Sequence, residues 1–425
     1  MLDVPAEEER TQMMLPLTTT PTTRNRWLLM VTAGLTAAVL TACGAPGQPG
    51  TSGEGASTDD ETSSEPFKVG LVYSQTGPLA TYGEHYMAGF EVGLDYATDG
   101  TGEIDGRPIE VTEADDAGDP AKAVSAATDL IGQGYQVIAG STASGVALQV
   151  APLAEENEIL FVSGPAATDG VTGINDYTFR SGRQTYQDIL TAASYVGDPA
   201  GKAITVFAQD SAFGQANAAA VTAVLGGAGA TVSQILVPPT ATDLTPFALQ
   251  AADASPDLLF VAWAGTNATQ MWQSLDQQGA FDASTVVTGL DITATYPVFA
   301  PVVGELQFLS HFFPGAGDNE AYAALEAGLA EQDLLPELFT NDGFVAAQMI
   351  VHALSEGGDD VDAMVDALEG WEFTGPKGAM TIRAEDHATL QPMFTAKLVD
   401  DGDALTAELI DTLDPEAVAP PVATP

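Results

Sequence analysis

Three short segments carry hydroxyl groups beside glycine, each directly after an apolar run. They are Ser74-Gln75-Thr76-Gly77-Pro78-Leu79-Ala80-Thr81-Tyr82-Gly83, Gly140-Ser141-Thr142-Ala143-Ser144-Gly145 and Ser163-Gly164-Pro165-Ala166-Ala167-Thr168-Asp169. A hydroxyl next to free backbone N–H groups at a helix start suits a carboxylate, because the donors point outward and the helix dipole favours negative charge. Ser144 and Thr168 are the candidate carboxylate donors on this ground; the competing reading is that each only caps its own helix. Tyr82, Tyr186, Phe213 and Trp263 fall at the ends of apolar runs or in these loops. As cleft residues they favour an apolar or aromatic ligand side chain, and as core residues they carry no function.

Other chemistries lack their residues. The sequence has no Gly-x-Ser-x-Gly elbow, and Gly197-Asp198-Pro199-Ala200-Gly201-Lys202 is one residue short of a phosphate loop and precedes a strand. An enzyme is therefore not expected, nor a cofactor. The four histidines, His85, His311, His352 and His387, are not grouped with other ligands as a metal site requires. Arg383-Ala384-Glu385-Asp386-His387 concentrates charge and reads as a structural network at the end of a hairpin. With 59 acidic against 12 basic residues the net charge is −47. That excludes phosphate backbones and anionic lipid surfaces, which are held by clustered Lys and Arg, and suits a surface at high ionic strength.

The elements that must position these loops alternate regularly. Phe67–Tyr73 reads as a buried strand, Ala80–Ala97 as a helix, Ile109–Glu113 as a strand. Pro120–Gln133 is a helix with Asp119 as cap and Pro120 at its first position, and Val137–Gly140 is a strand. Val146–Asn157, Ile159–Ser163, Thr185–Val196, Ala203–Ala208, Gln215–Gly226, Thr231–Val237, Leu244–Ala254 and Leu258–Trp263 continue the series, and Thr285–Val287 adds a further strand. Short apolar strands alternating with helices imply an α/β fold of parallel sheets covered on both faces, with ligands at the carboxyl ends of the strands.

At the N-terminus, Arg24 and Arg26 precede an apolar run, Trp27–Val39, too short to span a bilayer. Leu40-Thr41-Ala42-Cys43 follows and resembles a bacterial lipobox, which would make residues 1–42 a lipoprotein signal peptide and Cys43, the single cysteine, the lipidated residue. Acidic residues at Asp3, Glu7, Glu8 and Glu9 are out of place in such a signal, so the true start falls later on this reading, with Met13 and Met14 available. Residues 43–66 read as a flexible acidic linker and 413–425 as a disordered tail.

Over residues 67–412 the sequence resembles the leucine/isoleucine/valine-binding protein family, the type I periplasmic binding proteins. The resemblance rests on Phe67-Lys68-Val69-Gly70 with Thr76-Gly77-Pro78 and Tyr82-Gly83, on Val137–Pro152 with Ser144-Gly145, and on Ile159–Thr168 with Tyr177-Thr178-Phe179-Arg180. Phe207-Ala208-Gln209-Asp210 with Phe213-Gly214, and Gly375-Pro376-Lys377-Gly378, extend it. It implies a two-lobed clamshell with three crossover segments at the hinge, residues 67–184 with about 292–374 forming the N-terminal lobe and 185–291 with about 375–412 the C-terminal lobe.

It also implies that Ser144 and Thr168, with the backbone of Ala167, hold a ligand carboxylate, with Gly145 in the same ligand loop and Tyr82 against the ligand side chain. The family's tyrosine before the glycine at Phe213-Gly214 is absent here, and its acidic partner for the ligand ammonium has no clear equivalent. Asp291, on a loop that should border the cleft, is the candidate acid, with Asp210 and Asp243 weaker. The function implied is an extracytoplasmic solute-binding lipoprotein of an ABC importer, monomeric, lipid-anchored to the outer face of the cell membrane and served by permease and ATPase subunits. A ligand-sensing receptor lipoprotein of the same fold is the alternative.

Overall fold

The structure is a computed structural model and describes residues 65–423 apart from 266, 401 and 403. The proposed signal peptide, Cys43 and almost all of the linker lie outside the described residues. The chain forms β1 (Phe67–Tyr73), β2 (Glu103–Ile104), β3 (Arg107–Asp115), β4 (Val137–Gly140), β5 (Leu160–Ser163) and β6 (Thr178–Arg180), with helices α1 (Ala80–Ala97), α2 (Pro120–Gly132) and α3 (Ser144–Asn157) between them. These strands build one sheet in the order β2-β3-β1-β4-β5-β6, parallel except for the β2–β3 pair. Short apolar runs such as Val137–Gly140 and Leu160–Ser163 are buried along their whole length, as strands covered on both faces must be. The Asp119 carboxylate accepts from the N–H groups of Ala121 and Lys122 and starts α2, with Pro120 at the position where an N–H is not needed.

The second sheet is built on β7 (Ala203–Gln209), β8 (Thr231–Val237), β9 (Leu258–Ala262), β10 (Thr285–Gly289) and β11 (Leu306–Ser310), with α4 (Thr185–Val196), α5 (Ala212–Val221), α6 (Thr245–Ala254), α7 (Ala268–Gln277) and α8 (Ala280–Ala283). The chain then returns through α9 (Glu320–Ala330), α10 (Leu338–Gly357) and α11 (Val361–Leu368) to the first lobe, where α10 residues join the core of β1, β4 and β5. A small antiparallel sheet of β12 (Glu372–Gly375), β13 (Gly378–Ile382) and β14 (Thr389–Leu390) follows. Finally β15 (Met393–Asp400) and β16 (Leu405–Leu413) complete the second sheet, in the order β16-β15-β11-β10-β9-β7-β8. The fold is thus a two-lobed α/β clamshell, with passages between lobes after β6, after β11 and between β14 and β15.

Two details differ from the sequence reading. The strand β11 lies within 292–374, yet Leu306 and Phe308 belong to the second lobe's core, and β13, within 375–412, belongs to the first lobe's. One edge of the second sheet is antiparallel, since β15 and β16 arrive from the far end of the chain, while the β8 edge is parallel. The tail is also held. Val418 is fully buried, the Arg383 guanidinium donates to the carbonyls of Pro420 and Pro421, and the Ala423 N–H donates to Asp386. Arg383 and Asp386 pair at 2.7 Å, and the His387 ring stacks on Phe179 with one nitrogen 3.0 Å from the Thr178 carbonyl. That segment is a structural network that fastens the hairpin and tail to the first lobe. No helix among the described residues is long and apolar enough to cross a membrane.

Candidate functional site

A cavity of about 510 Å³ lies between the lobes at the carboxyl ends of the strands. Its walls come from the loop after β1 (Pro78, Leu79, Tyr82), the start of α3 (Thr142 to Gly145), the loop after β5 (Pro165, Ala167), the first passage (Arg183), and the second lobe (Ser211, Phe213, Trp263, Leu290, Asp291). The sequence-named residues Tyr82, Ser144, Gly145, Ala167, Phe213, Trp263 and Asp291 all line it.

Thr168 and Tyr186 do not. The Thr168 hydroxyl accepts from the Gly170 N–H and caps the short 3-10 turn Asp169–Val171. Tyr186 packs on the core of β7 and β9, and its N–H donates to Asp169. Asp210 and Asp243 also lie outside the cavity walls, both exposed; Asp210 accepts from Gln215 and Asp243 from the Thr245 N–H.

Ser144 proves to be the first residue of α3, not its cap. The cap position is Ala143, with no side-chain bond to the helix end. The Ser144 hydroxyl makes no hydrogen bond among the described residues, so it and the first N–H groups of α3 are donors facing the cavity. That is the arrangement that binds anions at helix starts.

The cation of the site was not picked out from the sequence. Arg183 is the only Arg or Lys among the described residues that line the cavity. Its Nε donates to Asp188 at 3.2 Å and its Nη1 to the Pro165 carbonyl at 3.1 Å, leaving Nη2 without a partner among the described residues. The backbone that carries it is braced from beneath by the fully buried Arg180, which donates to the carbonyls of Ala166, Thr168, Gly182 and Arg183. Thr168 therefore supports the site through its carbonyl. A signal existed: nine cations follow residue 66, and two of them, Arg180 and Arg183, stand three residues apart in a chain that is short of cations.

Two acids line the cavity, Asp188, which pairs with Arg183, and Asp291. Both Asp291 oxygens lie within hydrogen-bond reach of the Tyr82 hydroxyl, at 2.9 and 3.0 Å, and the Ile292 N–H donates to one of them. The Tyr82–Asp291 bond joins the two lobes. Burial, with the charge of Glu337 nearby, pushes the Asp291 carboxyl above its ordinary range, and no cation pairs with it among the described residues. Burial and the Asp291 charge likewise raise the Tyr82 hydroxyl, which stays protonated as the donor. Apolar walls complete the cavity. Tyr82 packs on Phe339 at 4.6 Å between ring centres, Trp263 stacks on Phe207 at 5.8 Å, and the Trp263 indole N–H donates to Asn267.

The chain matches known proteins over nearly all of the described fold. The family model described as periplasmic binding protein covers residues 66–403. A Leu/Ile/Val-binding protein of Rhizobium johnstonii is 25% identical over 319 residues, spanning 74% of this chain and 86% of that protein. The crystal structure of an ABC-type branched-chain amino acid transporter from Rhodopseudomonas palustris is 32% identical, covers 84% of this chain and 99% of its own, and superposes with a TM-score of 0.71. A solute-binding protein of the same species in complex with 4-hydroxybenzoate, 21% identical and covering 82% of this chain and 97% of its own, shares the fold at a TM-score of 0.74. With its two α/β lobes, three passages and interlobe cavity, the chain belongs to the periplasmic binding protein family.

Proposed function

We propose that this chain is the extracytoplasmic solute-binding lipoprotein of an ABC importer, anchored through Cys43, which closes two lobes around an amino acid or related small carboxylate and presents it to a permease. The observation that carries this reading is the pairing, in one cavity, of Arg183 with an uncommitted Nη2 and the open start of α3 at Ser144 and Gly145. A carboxylate there receives a charge-assisted bond from the guanidinium and neutral bonds from Ser144 and the helix N–H groups. Asp291 and Tyr82 take a ligand ammonium or hydroxyl.

The relatives support both kinds of cargo, one described as a Leu/Ile/Val-binding protein and another solved with an aromatic hydroxy acid. The walls of Phe213, Trp263 and Phe339 suit an apolar or aromatic side chain. Closure is driven by the ligand bridging groups of both lobes, which stabilises the closed form by its differential affinity. No bond is made or broken.

Calorimetric titration with L-leucine, L-phenylalanine and 4-hydroxybenzoate tests the reading. At least one is expected to bind, and Arg183→Ala to weaken it about 30-fold or more, since losing a buried charge-assisted partner costs about 2 kcal/mol or more. Arg183→Lys recovers part of this, because it keeps the charge and loses the fork. Binding by none of the three, or unchanged affinity in Arg183→Ala, overturns it.

A further inference from the structure

Five ionisable side chains meet at the level of the passages between lobes, three of them (Arg183, Asp188 and His311) in the cavity wall and two (Asp342 and Lys377) behind it. Arg183 stands on the first passage, Asp188 on the first turn of α4, His311 directly after β11, Asp342 just beyond the first turn of α10, and Lys377 in the turn between β12 and β13. Asp188, His311, Asp342 and Lys377 are each at least 95% buried. Arg183 pairs with Asp188 at 3.2 Å, and a His311 nitrogen lies 3.6 Å from Asp342. Lys377 makes no ion pair among the described residues; its amine donates to Gln391 at 2.8 Å, and Gln391 donates on to Gln187, the neighbour of Asp188.

The cluster is unevenly satisfied. Asp188 Oδ1, Asp342 Oδ2 and His311 Nε2 are buried without a hydrogen-bond partner. Such atoms cost free energy, which a nearby positive charge offsets.

We propose that Lys377 is the concealed counter-charge of the ligand site: it does not touch the ligand, but its proton compensates a carboxylate held at Arg183, so that an anionic ligand binds together with a proton. The inference rests on the carboxylate reading of the cavity and deepens it.

Burial pushes the Lys377 amine down to about 7, against the pull of Asp342 and with Arg183 adding to the push. At neutral pH the amine is therefore divided between its two forms. Asp342, which burial alone would raise, is held below the ordinary carboxylate range by His311, Arg183 and Lys377. A ligand carboxylate at Arg183 adds one negative charge to a cluster that already holds Asp188 and Asp342. It takes up the field of Arg183 that opposes the proton on Lys377, and the charged amine becomes favoured.

Three further groups face the cluster: Arg180 and Asp169 beneath Arg183, and the Asp291–Tyr82 pair across the cavity. Arg180 keeps its charge at neutral pH, lowered by burial only to about 10. His311, lowered by burial and then by Arg183, responds to an added negative charge in the same sense as Lys377, which makes it the competing site of proton uptake.

The sign is fixed by linkage. If binding raises the affinity of a group for its proton, the ligand binds best below the free-state value, and its affinity falls as pH rises toward the bound-state value. A rise of one unit corresponds to about a tenfold fall.

The experiment is calorimetry of the full chain with 4-hydroxybenzoate, L-leucine and L-phenylalanine, each in phosphate and in Tris, whose different ionisation heats count the protons exchanged. For the carboxylate that binds, proton uptake at pH 7 is expected, with affinity falling about three- to tenfold from pH 6 to 8. Lys377→Met abolishes the uptake and flattens the pH profile at low affinity; Lys377→Arg flattens it at high affinity; His311→Gln leaves the uptake in place.

Binding without proton uptake, or uptake that survives in Lys377→Met, overturns the proposal alone. Binding by none of the three overturns the ligand reading and this inference with it. If Lys377→Met does not fold, the wild-type chain serves: it has five lysines, all beyond residue 66, and the Lys377 amine resonance is expected to titrate near neutrality and to shift upward with ligand. Titration near the ordinary lysine value overturns the proposal.

Discussion

Arg183 and Asp291 bring opposite charges into one cavity and are supported differently. Arg183 has Asp188, the Pro165 carbonyl and the braced passage, so its charge is compensated before any ligand arrives. Asp291 has a phenol and one N–H, and no cation among the described residues. A carboxyl whose folded-state value is raised binds its proton more tightly folded than unfolded. Its contribution to stability is present below the unfolded value, near 3.9, and is lost as pH rises through the folded one. At neutral pH, therefore, ionised Asp291 is a cost to the free protein. Asp291→Asn is expected to raise the melting temperature at pH 7, a gain of roughly 1 kcal/mol, and to lose that gain near pH 4. The same substitution weakens any ligand that presents an ammonium. Calorimetric melting of the free variant at both pH values checks this; a lower melting point at pH 7 contradicts it. Asp291 could be named from sequence because it follows a strand that had to end at the cleft. Arg183 is marked only by standing near Arg180 in a chain short of cations, because its neighbours in the passage show no periodicity, and what places its side chain in the cavity is Arg180 bonding backbone from Ala166 to Arg183.

At the scale of elements, α1 and α10 show what local pattern does and does not reveal. Apolar spacing marks Ala80–Ala97 as a helix, but not how closely another helix approaches it. Gly89 and Gly93 on α1 and Gly343 on α10 let the two backbones meet: a Cβ at Gly89 would lie 1.9 Å from the Thr340 carbonyl oxygen, and one at Gly343 1.9 Å from that of Tyr86. Gly89→Ala should favour an isolated helix, yet here it forces the pair apart, and a loss of about 2–4 kcal/mol is expected by thermal denaturation. A melting temperature within about 2 °C of wild type would show that the contact relaxes freely. Strands such as Val137–Gly140 were legible because unbroken apolar runs have only the sheet interior to occupy. The lobe membership of β11 and of the β12–β13 hairpin was not, because an apolar strand fits either sheet, and the choice is made by partners distant in sequence, Phe394 to Ala396 for β11 and the α10 core for β13.

At the scale of the whole molecule, an excess of 47 negative charges surrounds an interior that keeps its scarce cations for particular tasks. Arg180 and Lys377 are buried, and Arg183 stands in the cleft. The chain's last stretch bears on how this molecule moves. After β16, in the second lobe, only residues 414–419 separate Leu413 from Pro420, whose carbonyl is held by Arg383 on the first lobe. Six extended residues reach roughly 20 Å. A link of that reach is expected to act as a mechanical stop, capping how far the lobes swing apart and so how quickly a ligand escapes once the Tyr82–Asp291 bond opens. Ending the chain at Leu413 is expected to enlarge the ligand-free protein in small-angle X-ray scattering and to shorten the residence time of bound ligand, while an unchanged radius of gyration would show that the three passages alone set the amplitude.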